Sequence, residues 1–508
     1  MKPNTQSVKA TKLGGKVWLC AIIFGLIGQI AWSVENMYFA TFAQDVFAGV
    51  SNTTGTLVST LMIWLSAITA TATTIFAGGF IDRVGKRKPF IAYGYLAWGV
   101  TIMLFAAIPV TPTTKTVGLI GALLVIFDCI MTFFGSTAND AAFNTWITDV
   151  TDTTNRGKVN SVMSIFSILA FVLVFVIAMF TYDAGNTVLF FIILGVLPII
   201  AGIVALFTLK DKADIPKIQN KNYLKETFYG FRPSVIKDNK MLYVCLSATC
   251  ILGIAQQTFF SYLINFIQNT LGIKDYIIPL AIIIVLAGGI TAATGILYDK
   301  VGRKHFYIPI VIVAVASMLV FYLMQFMPVS SYVAVMVVAG TLMMGALLSG
   351  SGALMSTFQD YIPKGSEGRF QGVRMCFTVL VPMLIGPLVT LCINLAKIDD
   401  NAVEYMPPFE IFLAGTIIAV FAIIPIVFVM KDANRLRQAK LDEALQEKEN
   451  AETQATEDDL TMVCTCGEEG CSCPFDCTPS TEENVVATEI EETVENTETA
   501  VESDKIDE

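Results

Sequence analysis

Twelve apolar runs follow one another along this 508-residue chain, near 17–43, 56–81, 89–110, 117–146, 158–181, 187–209, 241–269, 275–298, 306–327, 330–361, 370–395 and 408–430. Crossing a bilayer takes about 20 apolar residues as a helix but only about 10 as a barrel strand, so runs of this length read as helices. In lipid every backbone N–H and C=O must find its partner inside the protein, which leaves helices and closed barrels as the spanning forms. The expected fold is an all-α membrane protein with twelve transmembrane helices. Composition agrees, since 15% of the residues are charged against about 25% in soluble domains. The basic start (Lys2, Lys9, Lys12, Lys16) leads into an apolar run too long for a cleavable signal.

One short stretch occurs twice. Gly78-Gly79-Phe80-Ile81-Asp82-Arg83-Val84-Gly85-Lys86-Arg87-Lys88 follows the second run, and Gly295-Ile296-Leu297-Tyr298-Asp299-Lys300-Val301-Gly302-Arg303-Lys304 follows the eighth. Each reads Gly, three residues, Asp, a base, Val, Gly, two bases. A second echo pairs Asp149 and Arg156 with Asp360 and Arg369. The offsets, 217 residues from Asp82 to Asp299 and 211 from Asp149 to Asp360, nearly agree, as a duplication requires. The expected organisation is therefore a six-helix bundle over 1–209, a basic central loop over 210–240, a second six-helix bundle over 241–430, and a tail over 431–508. Lys and Arg crowd the loops that hold the repeated motif and the central loop, while the alternate loops carry only Lys115, Lys274 and Lys397. By the positive-inside rule the motif loops and both termini are cytoplasmic and the chain sits in the cell membrane.

The repeated stretch resembles the loop signature of the major facilitator superfamily. The resemblance implies that Asp82 accepts from the start of the eleventh helix and Asp299 from the start of the fifth, with Arg83 then free to pair with Asp149. A carboxylate at a helix start is favoured by the helix dipole, and such contacts would hold one side shut. Gly78, Asp82, Arg83, Gly85, Arg87, Asp149, Arg156, Gly295, Asp299, Gly302, Arg303, Asp360 and Arg369 are the gating candidates. A simple positive-inside anchor explains the bases but not the repeated Asp and Gly.

Ionisable residues inside apolar runs are costly in lipid and usually face a cavity. The first run carries Trp32, Glu35, Asn36 and Tyr38; the fourth carries Asp128, then Asn139, Asp140 and Asn144. In the seventh, Gln256 and Gln257 precede Tyr262, Asn265 and Gln268, with Gln257, Ser261, Asn265 and Gln268 at helical spacing. Amides that donate and accept, beside rings that stack on apolar faces, suit sugar hydroxyls; inter-helix hydrogen bonding is the plainer reading of any one of them. Asp360 and Arg374 read as a structural pair, and His305 as a solvated loop residue.

Over roughly 15–430 the pattern resembles the glycoside–pentoside–hexuronide:cation symporters. Gly25-Leu26-Ile27-Gly28-Gln29, the later Phe42-Ala43-Gln44-Asp45-Val46, and Asp140-Ala141-Ala142-Phe143 carry that likeness. It implies a sugar contact at Asp140. The family's paired Asp on the second helix are missing from Trp64-Leu65-Ser66-Ala67-Ile68-Thr69, and its buried Lys is missing from the eleventh. A proton on Glu35 or Asp140 is thus the expected coupling ion. The substrate set is Trp32, Glu35, Asn36, Tyr38, Asn139, Asp140, Asn144, Gln256, Gln257, Tyr262 and Asn265.

No enzyme motif, nucleic-acid surface or cofactor site is expected. The expected partners are a small solute, a coupling proton or cation and the bilayer, and the protein is read as a monomer. Six Cys lie singly in apolar runs, where packing accounts for them. The acidic tail holds Cys464, Cys466, Cys471, Cys473 and Cys477. Close Cys pairs can bind soft metals, but there is no His among them and the spacing matches no zinc finger, so no metal site is assigned. A metabolite or drug exporter of the same fold, and a transporter-like receptor, are the other readings.

Overall fold

The computed structural model describes residues 14–109, 116–151, 156–211, 228–301, 304–363, 367–397 and 404–432. Their main helices are α1 (Gly15–Phe47), α2 (Asn52–Val84), α3 (Lys88–Leu104), α4 (Val117–Val150), α5 (Arg156–Phe180), α6 (Thr187–Thr208), α7 (Lys240–Thr270), α8 (Ile277–Val301), α9 (Lys304–Leu323), α10 (Tyr332–Tyr361), α11 (Gly372–Lys397) and α12 (Glu410–Asp432). Among the described residues, eleven are long and apolar enough to cross a membrane; α5 has a shorter apolar run, Ile165–Phe180. The outward surface is apolar, with Phe180, Phe207 and Phe326 largely exposed, as lipid contact requires. This is a multi-pass membrane protein.

The helix pairings repeat. In the first half α1 packs on α5 and α6, α2 on α4, and α3 on α4 and α6; in the second half α7 packs on α11 and α12, α8 on α10, and α9 on α10 and α12. Adding six to each label of the first set gives the second. The halves meet through α2 on α11 and α5 on α8, which are again related by the same shift. The sequence echo is therefore an echo of packing.

Close approach within a half depends on small residues, because lipid tails give helices no hydrophobic reason to associate. A Cβ on Gly99 of α3 would lie 2.3 Å from the carbonyl oxygen of Gly195 on α6, and one on Gly202 would lie 2.8 Å from that of Ala92. Beside this seam Phe39, Phe42, Phe105, Phe190 and Phe191 form a buried aromatic cluster. Phe259, Phe266, Phe321 and Phe412 form its counterpart in the second half.

The loop after α2 explains its own glycine. Gly85 has φ +68°, the left-handed conformation that ends a helix, and its N–H bonds to the Ile81 carbonyl. The bases split in role. Asp149 pairs with Arg87 at 3.1 Å; Arg83 is exposed. The backbone N–H groups of Arg87 and Lys88, at the start of α3, both donate to Asp211 at 2.8 Å. Gly78 and Gly295 lie within α2 and α8. The side chains of Asp82, Arg156, Asp299 and Arg369, with Gly302, Arg303 and residues 433–508, lie outside the described residues, so the Asp-to-helix contacts implied by the resemblance do too. His305 is exposed near the start of α9.

Candidate substrate cavity

Four helices depart from α-geometry along part of their length. Each contains a π-helical turn: Glu35–Phe39 in α1, Ser136–Phe143 in α4, Phe266–Thr270 in α7 and Cys376–Leu380 in α11. Such turns mark functional sites more often than chance, since the widened turn redirects side chains and frees carbonyls. Here the turns of α1, α4 and α11 carry Glu35, Asn36, Asp140 and Thr378 to the wall of a cavity of about 410 Å³.

The first half contributes Trp32, Glu35 and Asn36 from α1, Ser66 and Thr74 from α2, and Asp140 and Asn144 from α4; the second contributes Gln257 from α7 and Arg374, Thr378 and Met383 from α11. The lining is chemically unfinished. Trp32 Nε1, Glu35 Oε2, Thr74 Oγ1 and Gln257 Oε1 are all buried with no hydrogen-bond partner in the protein. All four belong to side chains in the wall of the same cavity. Buried polar atoms left in this state are costly, and a polar ligand satisfies them. Arg374 supplies a positive charge that attracts Asp140 from the other half.

Of the residues expected to bind substrate, Trp32, Glu35, Asn36, Asp140, Asn144 and Gln257 meet at this cavity. The others lie elsewhere. Asn139 donates to the Tyr95 hydroxyl at 2.7 Å and covers Gly28. Gln256 precedes Gln257, the last residue of the regular part of α7, but is not in the wall. Tyr38, Tyr262 and Asn265 are buried nearer the end of the molecule opposite the repeated motif. The reason is a break in α7: the helix is interrupted at Thr258–Phe259, continues as a 3-10 turn over Phe260–Tyr262, and widens again at Phe266. The single stripe expected through Gln257, Ser261, Asn265 and Gln268 presumes an unbroken helix. Arg374, read on sequence as a partner of Asp360, lines the cavity with Asp140.

Beyond the cavity the end opposite the motif is sealed by contacts between halves. The Tyr38 and Tyr276 hydroxyls bond at 3.1 Å, and Tyr276 reaches Asp183 at 3.4 Å. Thr60 bonds Tyr262 at 3.0 Å, and Trp64 Nε1 donates to the Leu384 carbonyl at 2.9 Å. Tyr182 donates to Asp45 at 2.5 Å, bracing the first-half side. Towards the motif end the wall runs out to Asn144, which is exposed. The cavity therefore faces the motif end.

Two halves with matching helix packing around a polar cavity closed at one end are the architecture of a membrane transporter. Residues 16–387 match the family model of the Major Facilitator Superfamily, and the chain belongs to that family. It is a transporter of a small molecule and not an enzyme. Solved structures similar to it include the D-xylose-proton symporter (TM-score 0.63, 13% identity, 82% of this chain and 96% of that one). A mutant form of the nucleoside transporter NupG is also similar (0.61, 13%, 81% and 99%). So is the xylose transporter XylE from E. coli in a partially occluded inward open conformation (0.58, 13%, 80% and 96%). At these identities the likeness establishes the fold. No curated protein matches the sequence.

Proposed function

We propose that this protein is a secondary active transporter in the cell membrane that moves a sugar or glycoside by alternating access. On this reading twelve spans, α5 among them, form the two bundles, the motif loops and both termini are cytoplasmic, and a monomer is the working unit. The observation that carries the substrate class is the set of four unpartnered polar atoms at Trp32, Glu35, Thr74 and Gln257. A hydroxyl-rich solute donates to the carboxylate and the amide carbonyl, accepts from the indole, and rests an apolar face on the Trp32 ring. The similarity to xylose and nucleoside transporters supports a solute rich in hydroxyls. A cation energises uptake, with Glu35 and Asp140 as the carriers of a proton. Both stand in the wall, so the charge on either is read by the bound solute.

Uptake of a panel of labelled sugars into proteoliposomes, with and without an imposed proton gradient, tests this. Concentrative uptake of at least one sugar is the expected result. Failure of every sugar, with efflux of amphiphilic compounds in its place, would favour an exporter; binding without movement would favour a receptor.

A further inference from the structure

Charge is divided unevenly along this chain. Residues 451–508 hold 18 acidic side chains and one base, Lys505, a balance of −17 where the whole chain carries −10, so residues 1–450 carry +7. Among the described residues the exposed bases gather at the motif end, with Lys274 and Lys397 at the sealed end. Lys86 lies in the α2–α3 loop and Lys88 opens α3; Lys210 follows α6; Lys237 and Lys240 stand at the start of α7; Lys431 lies at the end of α12. All but the half-buried Lys88 are exposed. Asp238 and Asp360, also exposed, offset part of this charge. Asp149 and Asp211 are engaged by Arg87 and by the backbone at the start of α3.

These bases flank the mouth of the cavity from both halves. On the first-half side Trp146 Nε1 donates to the Lys210 carbonyl at 3.3 Å. This sets Lys210 beside the end of α4, close in sequence to the exposed Asn144 of the cavity wall. Asp211, the next residue, holds the start of α3 and so keeps Lys86 and Lys88 in the same corner. On the second-half side the segment before α7 packs on the residues that lead into α11. The Tyr229 and Phe370 rings meet edge to face at 6.0 Å, and a Cβ on Gly230 would lie 2.5 Å from Val373. Val373 directly precedes Arg374 of the cavity wall. The short helix Pro233–Asp238 continues from there and carries Lys237 towards Lys240 at the start of α7. The acidic run is tethered to the same end. The Tyr361 hydroxyl, at the end of α10, donates to Asp432 at the end of α12 at 3.0 Å. The chain from Asp432 to Ala451 can span up to about 65 Å.

We propose that the basic motif-end face is the docking surface of the chain's own acidic segment, 451–508, which lies across the cavity mouth and engages bases of both halves. A single ion pair at a surface is weak. Many along one tethered chain act together, at an effective concentration in the millimolar range, and blocks of like charge serve as interaction tails. The contact is set by charge, so it weakens as salt shortens the screening length from about 10 Å at 0.1 M to about 3 Å at 1 M. A polyanion held on both sets of bases ties together two halves that must separate as this end opens. Docking therefore opposes opening and slows exchange through the mouth. That consequence rests on the alternating-access reading above; the contact itself does not.

The test is the reaction rate of each lysine with an uncharged acylating ester, mapped by mass spectrometry on the purified full-length protein in zwitterionic lipid with no solute added. Lys274, exposed at the sealed end, is the internal control. At low salt Lys86, Lys210, Lys237 and Lys240 should react about threefold or more slower than at about 1 M salt, where charge contacts are screened, while Lys274 keeps its rate. A full-length variant combining Glu482→Gln, Glu483→Gln, Glu489→Gln, Glu491→Gln, Glu492→Gln and Glu495→Gln removes 6 of the 18 acids. It should lose a comparable share of the protection at low salt. Motif-end lysines that react equally at both salts overturn the proposal. So does protection that the variant keeps whole, which would assign the cover to the bilayer. Protection confined to one half overturns the bridging, and protection that fades on dilution places the segment on a second copy and overturns the contact within one chain. Exchange of a transported solute should be faster in the variant; equal rates overturn the restraint on opening. Lysine protection is read without solute, so failure of every sugar refutes the substrate reading alone, and unprotected lysines in a protein that moves sugar refute the docking alone.

Discussion

Glu35 is the residue on which most of the chemistry converges. One of its oxygens is held by Thr132 and the other is unpartnered, and it borders two cavities. Glu35→Gln should abolish uphill uptake while leaving solute exchange partly intact, since exchange needs the site but not its charge cycle. Full accumulation by that variant, measured in energised vesicles, would remove Glu35 from coupling. Arg374→Gln should instead weaken solute binding and exchange alike, by about 2–5 kcal/mol where a buried charged partner is left alone; unchanged exchange would count against its place in the site. Much of the site was legible because a charge in an apolar run is expensive and must face something polar. That rule found Glu35 and Asp140 directly. It applies equally to Arg374, but a plausible structural partner at Asp360 hid it. Thr74 and Ser66 carry no such signal, because hydroxyls in membrane helices commonly bond their own backbone, as Ser66 does.

At the scale of elements, the order of the apolar helices was readable from the run lengths, eleven of them long enough to cross a membrane among the described residues, and the repeat in packing from two loops. What could not be read was where a helix stops being regular. The break in α7 at Thr258–Phe259 and the four π-helical turns leave no mark in hydropathy, yet they decide that Gln257 reaches the cavity while Tyr262 and Asn265 do not. The α2–α3 loop gives two stability predictions. Gly85→Ala forces a side chain into the left-handed region at a cost of about 1–2 kcal/mol. Asp211→Ala removes the acceptor for the first N–H groups of α3, worth about 1 kcal/mol. Thermal melts in detergent check both; an unchanged melting temperature in either variant would contradict its assigned role. The α3–α6 seam is less forgiving, since Gly99→Val places carbon against the Gly195 carbonyl and should cost more than either.

For the whole molecule, the pairing scheme and the one-sided seal describe a carrier caught with one end closed. The seal holds a titratable group outside the spanning helices. Asp183 is exposed on one side, and partial desolvation by its packed side raises its carboxyl above the ordinary value, although hydrogen bonds from Tyr276 and Gln268 hold it down in part. The closed end therefore binds a proton more readily than an open, hydrated one would. Its contribution is fully present at pH below the ordinary Asp range and is lost as pH rises through the raised value. Acidification should favour closure of this end, and Asp183→Asn should flatten that dependence. A pH response that keeps its size in the variant would place the sensor elsewhere.

The central claim is that the two halves rock about one shared cavity. Pairs of spin labels test it, one pair at Ala184 and Lys274 on the sealed end and one at Lys86 and His305 on the motif end, all exposed positions on opposite halves. Binding of the transported solute should change the two distances in opposite senses in some fraction of molecules, the sealed end lengthening as the motif end shortens. Distances that stay fixed, or that grow and shrink together, would contradict it.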